Sequence, residues 1–317
     1  MSQVKNLIII LVNWNGKDFL PDCIESIRKY PPAVPFTITV VDNNSTDGSR
    51  EWLQEQADAG KLRLIANAEN IGFGPANNLA IQAAETDALL LLNPDTRVTD
   101  GCVDALIRGL NEDIEVGIVV PRVTNEDGSV AASVWADPSV TKTLVEGLSM
   151  SGLLPAKKRG ELLLGRYWTY DHVTPVPLAS GCAMMIRREA ADAAGAFDPD
   201  IFMYGEDLEL CARFRRKGWK ILFTPDATVI HSGGKSSSQR WDLVEATMRE
   251  EEGFVAYLER SFGDFRIAQL AAARTMVAAV RRAGRRLRGK DDEYLRRLQD
   301  LQWRVLRSAV ARLLHLK

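Results

Sequence analysis

The chain has 317 residues, 46% of them hydrophobic, which suffices for one large domain or two small ones around a substantial core. A net charge of −2 argues against a protein that grips nucleic acid through bulk positive charge. Cys23, Cys102, Cys182 and Cys211 include no close pair, which argues against a zinc site or a redox dithiol and points to ordinary thiols in a reducing compartment.

From the N-terminus, residues 7–12 are continuously apolar and β-branched, as in a strand covered on both faces. No cleavage-like site follows them, and neither they nor residues 89–92 approach the roughly 20 apolar residues of a membrane-spanning helix, so a cytoplasmic protein is expected. Residues 18–30 carry Phe19, Cys23 and Ile27 at helical spacing. Strands are predicted at 36–41, 62–65, 88–92 and 116–120. The intervening helices are predicted at 45–57, capped by Ser45 or Thr46, and at 75–84 and 101–110. Such alternation implies right-handed βαβ units and a mostly parallel sheet. Further on, 133–170 has weak periodicity, 176–186 is a strand around Ala179-Ser180-Gly181, and 202–217 turns from loop to helix. Short strands follow at 221–223 and 228–230, and the chain is helical from Trp241.

In a parallel sheet, ligands sit beyond the carboxyl ends of the strands. Four successive strands end in polar clusters: Asn13-Trp14-Asn15, Asp42-Asn43-Asn44, residues 67–70, and Asn93-Pro94-Asp95. Any one of these also reads as an ordinary turn. Together they predict a shared site at one edge of the sheet.

Five elements can carry chemistry. Asp95, just past a buried strand, can hold Mg²⁺ or Mn²⁺ together with a diphosphate, because hard cations prefer oxygen ligands. Asp42 can accept a hydrogen bond from the imide N–H of uracil or thymine. Asn70-Ile71-Gly72-Phe73-Gly74 allows close backbone approach before a helix whose free N–H groups suit an anion. Glu206 and Asp207 open a helix, and either can serve as a general base or simply favour the helix dipole. His231 follows an apolar strand and precedes Gly233-Gly234-Lys235; a neutral imidazole there can complete a metal site that Asp95 supplies poorly alone.

In this order, the motifs Val12-Asn13-Trp14-Asn15, Val41-Asp42-Asn43-Asn44-Ser45-Thr46-Asp47-Gly48, Asn70-Ile71-Gly72-Phe73-Gly74, Leu92-Asn93-Pro94-Asp95, Gly181-Cys182-Ala183-Met184, Gly205-Glu206-Asp207 and His231 resemble glycosyltransferase family 2, most closely its rhamnosyltransferase-like branch. The resemblance spans residues 6–235. It implies a GT-A fold, a Rossmann-like α/β architecture with flanking helices, over residues 1–240. The nucleotide-binding half would be 1–120 and the acceptor half 121–240, with a C-terminal helical region at 241–317. It implies an inverting transfer of a sugar from a nucleotide diphosphate, dTDP-L-rhamnose first and UDP-sugars next, to a glycan or lipid-linked acceptor. Asp207 would be the catalytic base. Asn13, Asp42, Asn44, Asn70, Gly72, Asn93, Asp95 and Gly181 would bind the donor, and Asp95 and His231 a divalent cation, Mg²⁺ or Mn²⁺. Asn93 departs from the family's Asp-x-Asp motif at its first acid, which leaves the metal fewer charged ligands. A sugar nucleotidyltransferase would carry a basic glycine-rich loop where this chain has Asn13-Trp14-Asn15-Gly16-Lys17. A non-catalytic sugar-nucleotide binder would not need Asp207.

Charge is split along the chain: residues 265–317 hold 14 Lys and Arg against 4 Asp and Glu, so an acidic body carries a basic tail. Arg274, Arg281, Arg285 and Arg288 share one helical face, and Met276, Val280, Ala283 and Leu287 a roughly opposite one. After a break at Gly289-Lys290-Asp291, Leu298, Leu301, Val305 and Ala309 form a second apolar stripe. The tail therefore suits either an anionic membrane surface or packing, within the protein or in a homo-oligomer. Few aromatics are present to stack on bases, so nucleic acid is not the expected partner.

Overall fold

The computed structural model describes residues 3–232, 242–289 and 292–315. The chain divides into two compact units, one of Met1–Trp135 with Tyr170–Gln239 and one of Ala136–Thr169 with Arg240–Lys317. Residues 136–169 thus group with the C-terminal region, whereas the sequence pattern sets its boundary at 240.

The first unit is built on a central sheet. Strands β1 (Leu7–Asn13), β2 (Phe36–Asp42), β3 (Arg63–Ala66) and β4 (Ala88–Leu92) alternate with helices α1 (Leu20–Lys29), α2 (Ser49–Asp58) and α3 (Phe73–Gln82). They pair in parallel in the order β3-β2-β1-β4, in a register that places Asn13 opposite Asp42. Every residue of β1 and β4 is buried, which is why both read as unbroken apolar runs. One core beneath the sheet joins Ile9, Leu11, Val40 and Leu90 to Leu20, Ile24 and Leu106 of the covering helices.

Beyond β4 the sheet becomes mixed. After β5 (Thr96–Val98), α4 (Cys102–Glu112) and β6 (Val116–Thr124), the chain forms β7 (Val134–Trp135), which pairs with β9 (Leu178–Ala179) in a separate small sheet. Strand β10 (Ala183–Arg187) inserts antiparallel between β4 and β6. The predicted strand at 176–186 is thus two strands in two sheets, parted at Ser180-Gly181-Cys182. The two short strands predicted at 221–230 are instead one, β11 (Lys220–His231), with irregular pairing to β6 between Thr224 and Thr228. It also pairs with β5 and with β8 (Thr174–Pro175).

In the second unit, α5 (Val140–Gly147) and α6 (Ala156–Leu163) occupy the weakly periodic segment. Helices Leu243–Ser261, Asp264–Arg286 and Glu293–Leu313 follow, two of them capped by Asp242 and Asp292 side chains. Gly147 lies against Val277, where a Cβ would sit 2.5 Å from Cγ1. Leu298, Leu301, Val305 and Ala309 are buried, so the second apolar stripe packs inside the protein. No helix among the described residues is long and apolar enough to cross a membrane.

Candidate active site

Parallel pairing brings the ends of β1, β2, β3 and β4 to one edge of the sheet. There, Asn13 is fully buried and its Nδ2 donates to Asp42 Oδ1 at 2.9 Å, with Ser45 Oγ at 3.0 Å and Ser49 Oγ at 2.9 Å as further acceptors. Asp42 is also fully buried. Its Oδ2 accepts from Ser45 N at 3.1 Å and from Arg50 Nε at 2.7 Å. Arg50 reaches on to the Asn67 carbonyl. Asp42 therefore presents no open oxygen: the imide contact expected from the sequence requires Arg50 to give way. Arg50 lies one residue inside α2, eight after Asp42, a spacing with no sequence signal of its own.

Ser45 does not cap α2, because its hydroxyl accepts from Asn15 N at 2.9 Å and from Asn13. The helix starts four residues later, past Gly48 at φ +85°, and Asp47 Oδ1 accepts from Ser49 N at 3.0 Å. Asn44 is exposed at φ +63°, a conformation Asn tolerates. The buried amide is its neighbour Asn43, which bonds the Gly72 carbonyl at 3.0 Å and Asn67 Nδ2 at 2.8 Å. Asn70 Oδ1 accepts from Gly72 N at 3.0 Å, closing a local turn. In this structure the two glycines admit protein rather than an anion: a Cβ on Gly72 would strike the Phe202 carbonyl, and one on Gly74 would lie 2.9 Å from Phe197 Cβ.

Asn93-Pro94-Asp95 turns between β4 and β5. Asn93 N donates to the Cys182 carbonyl at 2.9 Å, while its buried Oδ1 has no hydrogen-bond partner. The β5–β11 pairing sets His231 opposite Thr96, and His231 Nε2 comes within 3.2 Å of the buried Asp95 Oδ1. A strand missing from the sequence-based elements, β5, thus joins two residues far apart in the chain. Residues 233–235 lie outside the described residues. Among the described residues, no group of three or more His, Cys, Asp and Glu side chains is arranged to hold a metal ion. One carboxylate oxygen and one imidazole nitrogen fit a divalent cation that takes its remaining ligands from a bound diphosphate.

Asp207 sits in the first turn of α7 (Glu206–Arg216). Tyr204 at φ +69° and Gly205 at φ +82° bend the chain into that helix, and a tyrosine held there is backbone strain of the kind that gathers at functional sites. Asp207 Oδ2 accepts from Gly181 N at 2.9 Å and Oδ1 from Leu208 N at 2.8 Å. A side chain at Gly181 would crowd Asp207, since a Cβ would stand 3.3 Å from Asp207 Cβ. Burial raises the Asp207 pKa above the usual aspartate value, against the opposing pull of the Gly181 and Leu208 N–H groups. Its neighbour Glu206 is pushed up to about 8, first by burial and then by the charge of Asp207, and its Oε2 has no hydrogen-bond partner. Glu206 thus holds its proton to higher pH than Asp207, whose carboxylate is held in place by backbone donors.

The edge of the sheet thus carries three small constellations: Asn13–Asp42–Arg50, Asp95–His231 and Gly181–Asp207. The family model described as Glycosyl transferase family 2 matches residues 8–195, more than half of the chain, and that described as Glycosyl transferase family group 2 matches residues 166–315. The chain is 28% identical over 229 residues to an N-acetylglucosaminyl-diphospho-decaprenol L-rhamnosyltransferase of Mycobacterium tuberculosis, covering 65% of this chain and 69% of the relative. It is 25% identical over 235 residues to the low-salt glycan biosynthesis hexosyltransferase Agl10 of Haloferax volcanii, covering 73% and 68%. Its fold resembles that of GalNAc-T7 solved with UDP, GalNAc and Mn²⁺, with a TM-score of 0.54 at 21% identity over 73% of this chain and 44% of that one. The chain has the GT-A fold and belongs to glycosyl transferase family 2.

Proposed function

We propose that this glycosyltransferase moves L-rhamnose from dTDP-L-rhamnose, with inversion, to a hydroxyl of a glycan or lipid-linked acceptor in cell-surface polysaccharide assembly. The observation that carries the chemistry is Asp207, fixed by the Gly181 and Leu208 N–H groups at 2.9 and 2.8 Å beside strand ends rich in Asn and Asp. The choice of sugar and acceptor rests on the similarity to the mycobacterial rhamnosyltransferase. A lipid-linked acceptor would place the enzyme, a cytoplasmic protein in this proposal, at the inner face of the cell membrane.

Asp207 takes the proton of the acceptor hydroxyl as that oxygen bonds to the anomeric carbon. The bond to the leaving phosphate breaks on the opposite face, and its electron pair departs with the nucleoside diphosphate. Asn93 Oδ1, buried and unpartnered, accepts from a ribose hydroxyl. Asn13 and Asn44 flank the nucleoside, Asn70 lines the donor, and Asp42 meets the base once Arg50 yields. Asp95 and His231 would hold a divalent cation, which when bound offsets the charge of the diphosphate.

The test is transfer to a polyprenyl-diphosphate N-acetylglucosamine acceptor, with dTDP-L-rhamnose and a set of UDP-sugars as donors. Product from dTDP-L-rhamnose alone is expected. Turnover of a UDP-sugar in its place would transfer the assignment to that donor, and binding of every donor without turnover would leave only a sugar-nucleotide-binding protein.

A further inference from the structure

The second unit carries an apolar stripe that the protein leaves in water. On helix Asp264–Arg286 and the Leu287 that caps it, Phe265, Ala272, Met276, Val280, Ala283 and Leu287 are all exposed. Their spacing of seven, four, four, three and four residues keeps them on one face. Leu287 is 90% exposed and Phe265 67%, far more than a side chain packed against a neighbour. The stripe runs the length of a helix of about 35 Å. The opposite face is the one that packs: Ile267, Leu270, Ala271 and Ala278 are buried, and Arg274 pairs with Glu251.

Charge identifies what the stripe meets. Residues 265–289 contain seven arginines and no acid. Arg281, Arg282, Arg285, Arg286 and Arg288 crowd the C-terminal end, where one or two cations would satisfy the helix dipole. Arg285 pairs with Asp292, and Arg282 bonds Gln299. Arg281, Arg286 and Arg288 make no ion pair among the described residues. At 3.6 residues per turn, Arg286 borders the stripe on one side and Arg288 on the other, while Arg281 and Arg282 lie further round towards the packed face. A second copy seated on the stripe would offer these arginines no acid from residues 265–289 in either helix orientation. Nucleic acid would satisfy the arginines and leave the stripe in water. A bilayer with anionic headgroups satisfies both: acyl chains take the leucine, valine and methionine, while arginine stems lie along the stripe and their guanidinium groups reach the phosphates.

We propose that helix Asp264–Arg286 is a docking surface for an anionic lipid bilayer, seated through the Phe265–Leu287 stripe and held by Arg286 and Arg288. The inference rests on the second unit alone and stands apart from the donor and acceptor assignment.

Co-sedimentation of the full chain with phosphatidylglycerol–phosphatidylcholine vesicles tests it, at low and high salt. The wild type should bind these vesicles and not pure phosphatidylcholine, and added salt should weaken binding. Arg286→Gln with Arg288→Gln should lower the partition coefficient about 30-fold. Val280→Gln with Leu287→Gln should lower it about tenfold or more. All four positions are exposed, so unfolding midpoints should match the wild type, as should transfer to a soluble acceptor. Failure of the wild type to bind, equal binding to neutral vesicles, or wild-type binding by either variant would overturn the proposal. So would a dimer in light scattering that Leu287→Gln dissolves while vesicles are ignored, or tighter binding to duplex DNA than to vesicles at equal salt.

Discussion

The two units handle apolar surface differently. In the first unit, β1, β4 and the covering helices bury nearly all of it, and the polar side chains gather at the strand ends. Among its described residues, only Ile114, Val130, Val173 and Phe202 stand out as exposed large apolar residues. The smaller second unit carries thirteen of the seventeen found among the described residues, Leu287, Leu243 and Leu153 the most exposed. Isolated exposed leucines are unremarkable, but an aligned stripe bordered by unpaired arginines is not. The first unit is thus organised around a polar edge, the second around an outer surface.

The sharpest way to break that contrast is at the polar edge. Asp207→Asn keeps the shape but cannot accept a proton, so kcat should fall by about 100-fold or more while donor affinity is retained. A variant that keeps a tenth of wild-type kcat would remove Asp207 from the role of base. Because the Asp207 pKa is raised, the acid limb of the wild-type kcat/KM profile should lie above the ordinary aspartate range.

Glu206 tests the same edge through stability. Its pKa rises from 4.5 unfolded to about 8 folded, so the native state holds a proton that the unfolded chain has already released. Its contribution is fully present below about pH 4.5 and is lost as pH rises towards about 8. Urea midpoints should therefore decline across that window, and Glu206→Gln should flatten the decline. Parallel curves for the two proteins would show that Glu206 is ionised when folded.

The two apolar stripes of the second unit give the next effect. Leu298→Ala, at a buried position, should cost about 2–5 kcal/mol of unfolding free energy. Leu287→Ala, in the exposed stripe, should change it by no more than about 0.5 kcal/mol. Equal losses would mean that Leu287 is packed in solution.

The smallest effect concerns the cation. Calorimetry of dTDP with Mg²⁺ should show about tenfold weaker binding for Asp95→Ala, near 1.4 kcal/mol, and a smaller loss for His231→Ala. Identical affinities with and without chelator in the wild type would remove the cation from the site.

Much of the first unit was legible because its strands are buried on both faces and its helices on one, which writes unbroken apolar runs and a helical period into the sequence. The parallel half, the strand-end clusters, and Asp95, Asp207 and His231 as candidates all followed from local pattern and ordered motifs. Strand β5 did not, because three residues carry no period, and it is β5 pairing with β11 that brings Asp95 within 3.2 Å of His231. Nor did the engagement of Asp42 by Arg50, or Gly181 as the donor that fixes Asp207, since both join segments whose meeting depends on the sheet. The tail gives the same lesson. Helical spacing by itself determined two apolar stripes and one arginine-rich face. Only tertiary packing decided that Leu298, Leu301, Val305 and Ala309 are buried while Met276, Val280 and Leu287 face water. A helix has one periodicity whichever face it buries, and the choice belongs to its neighbours.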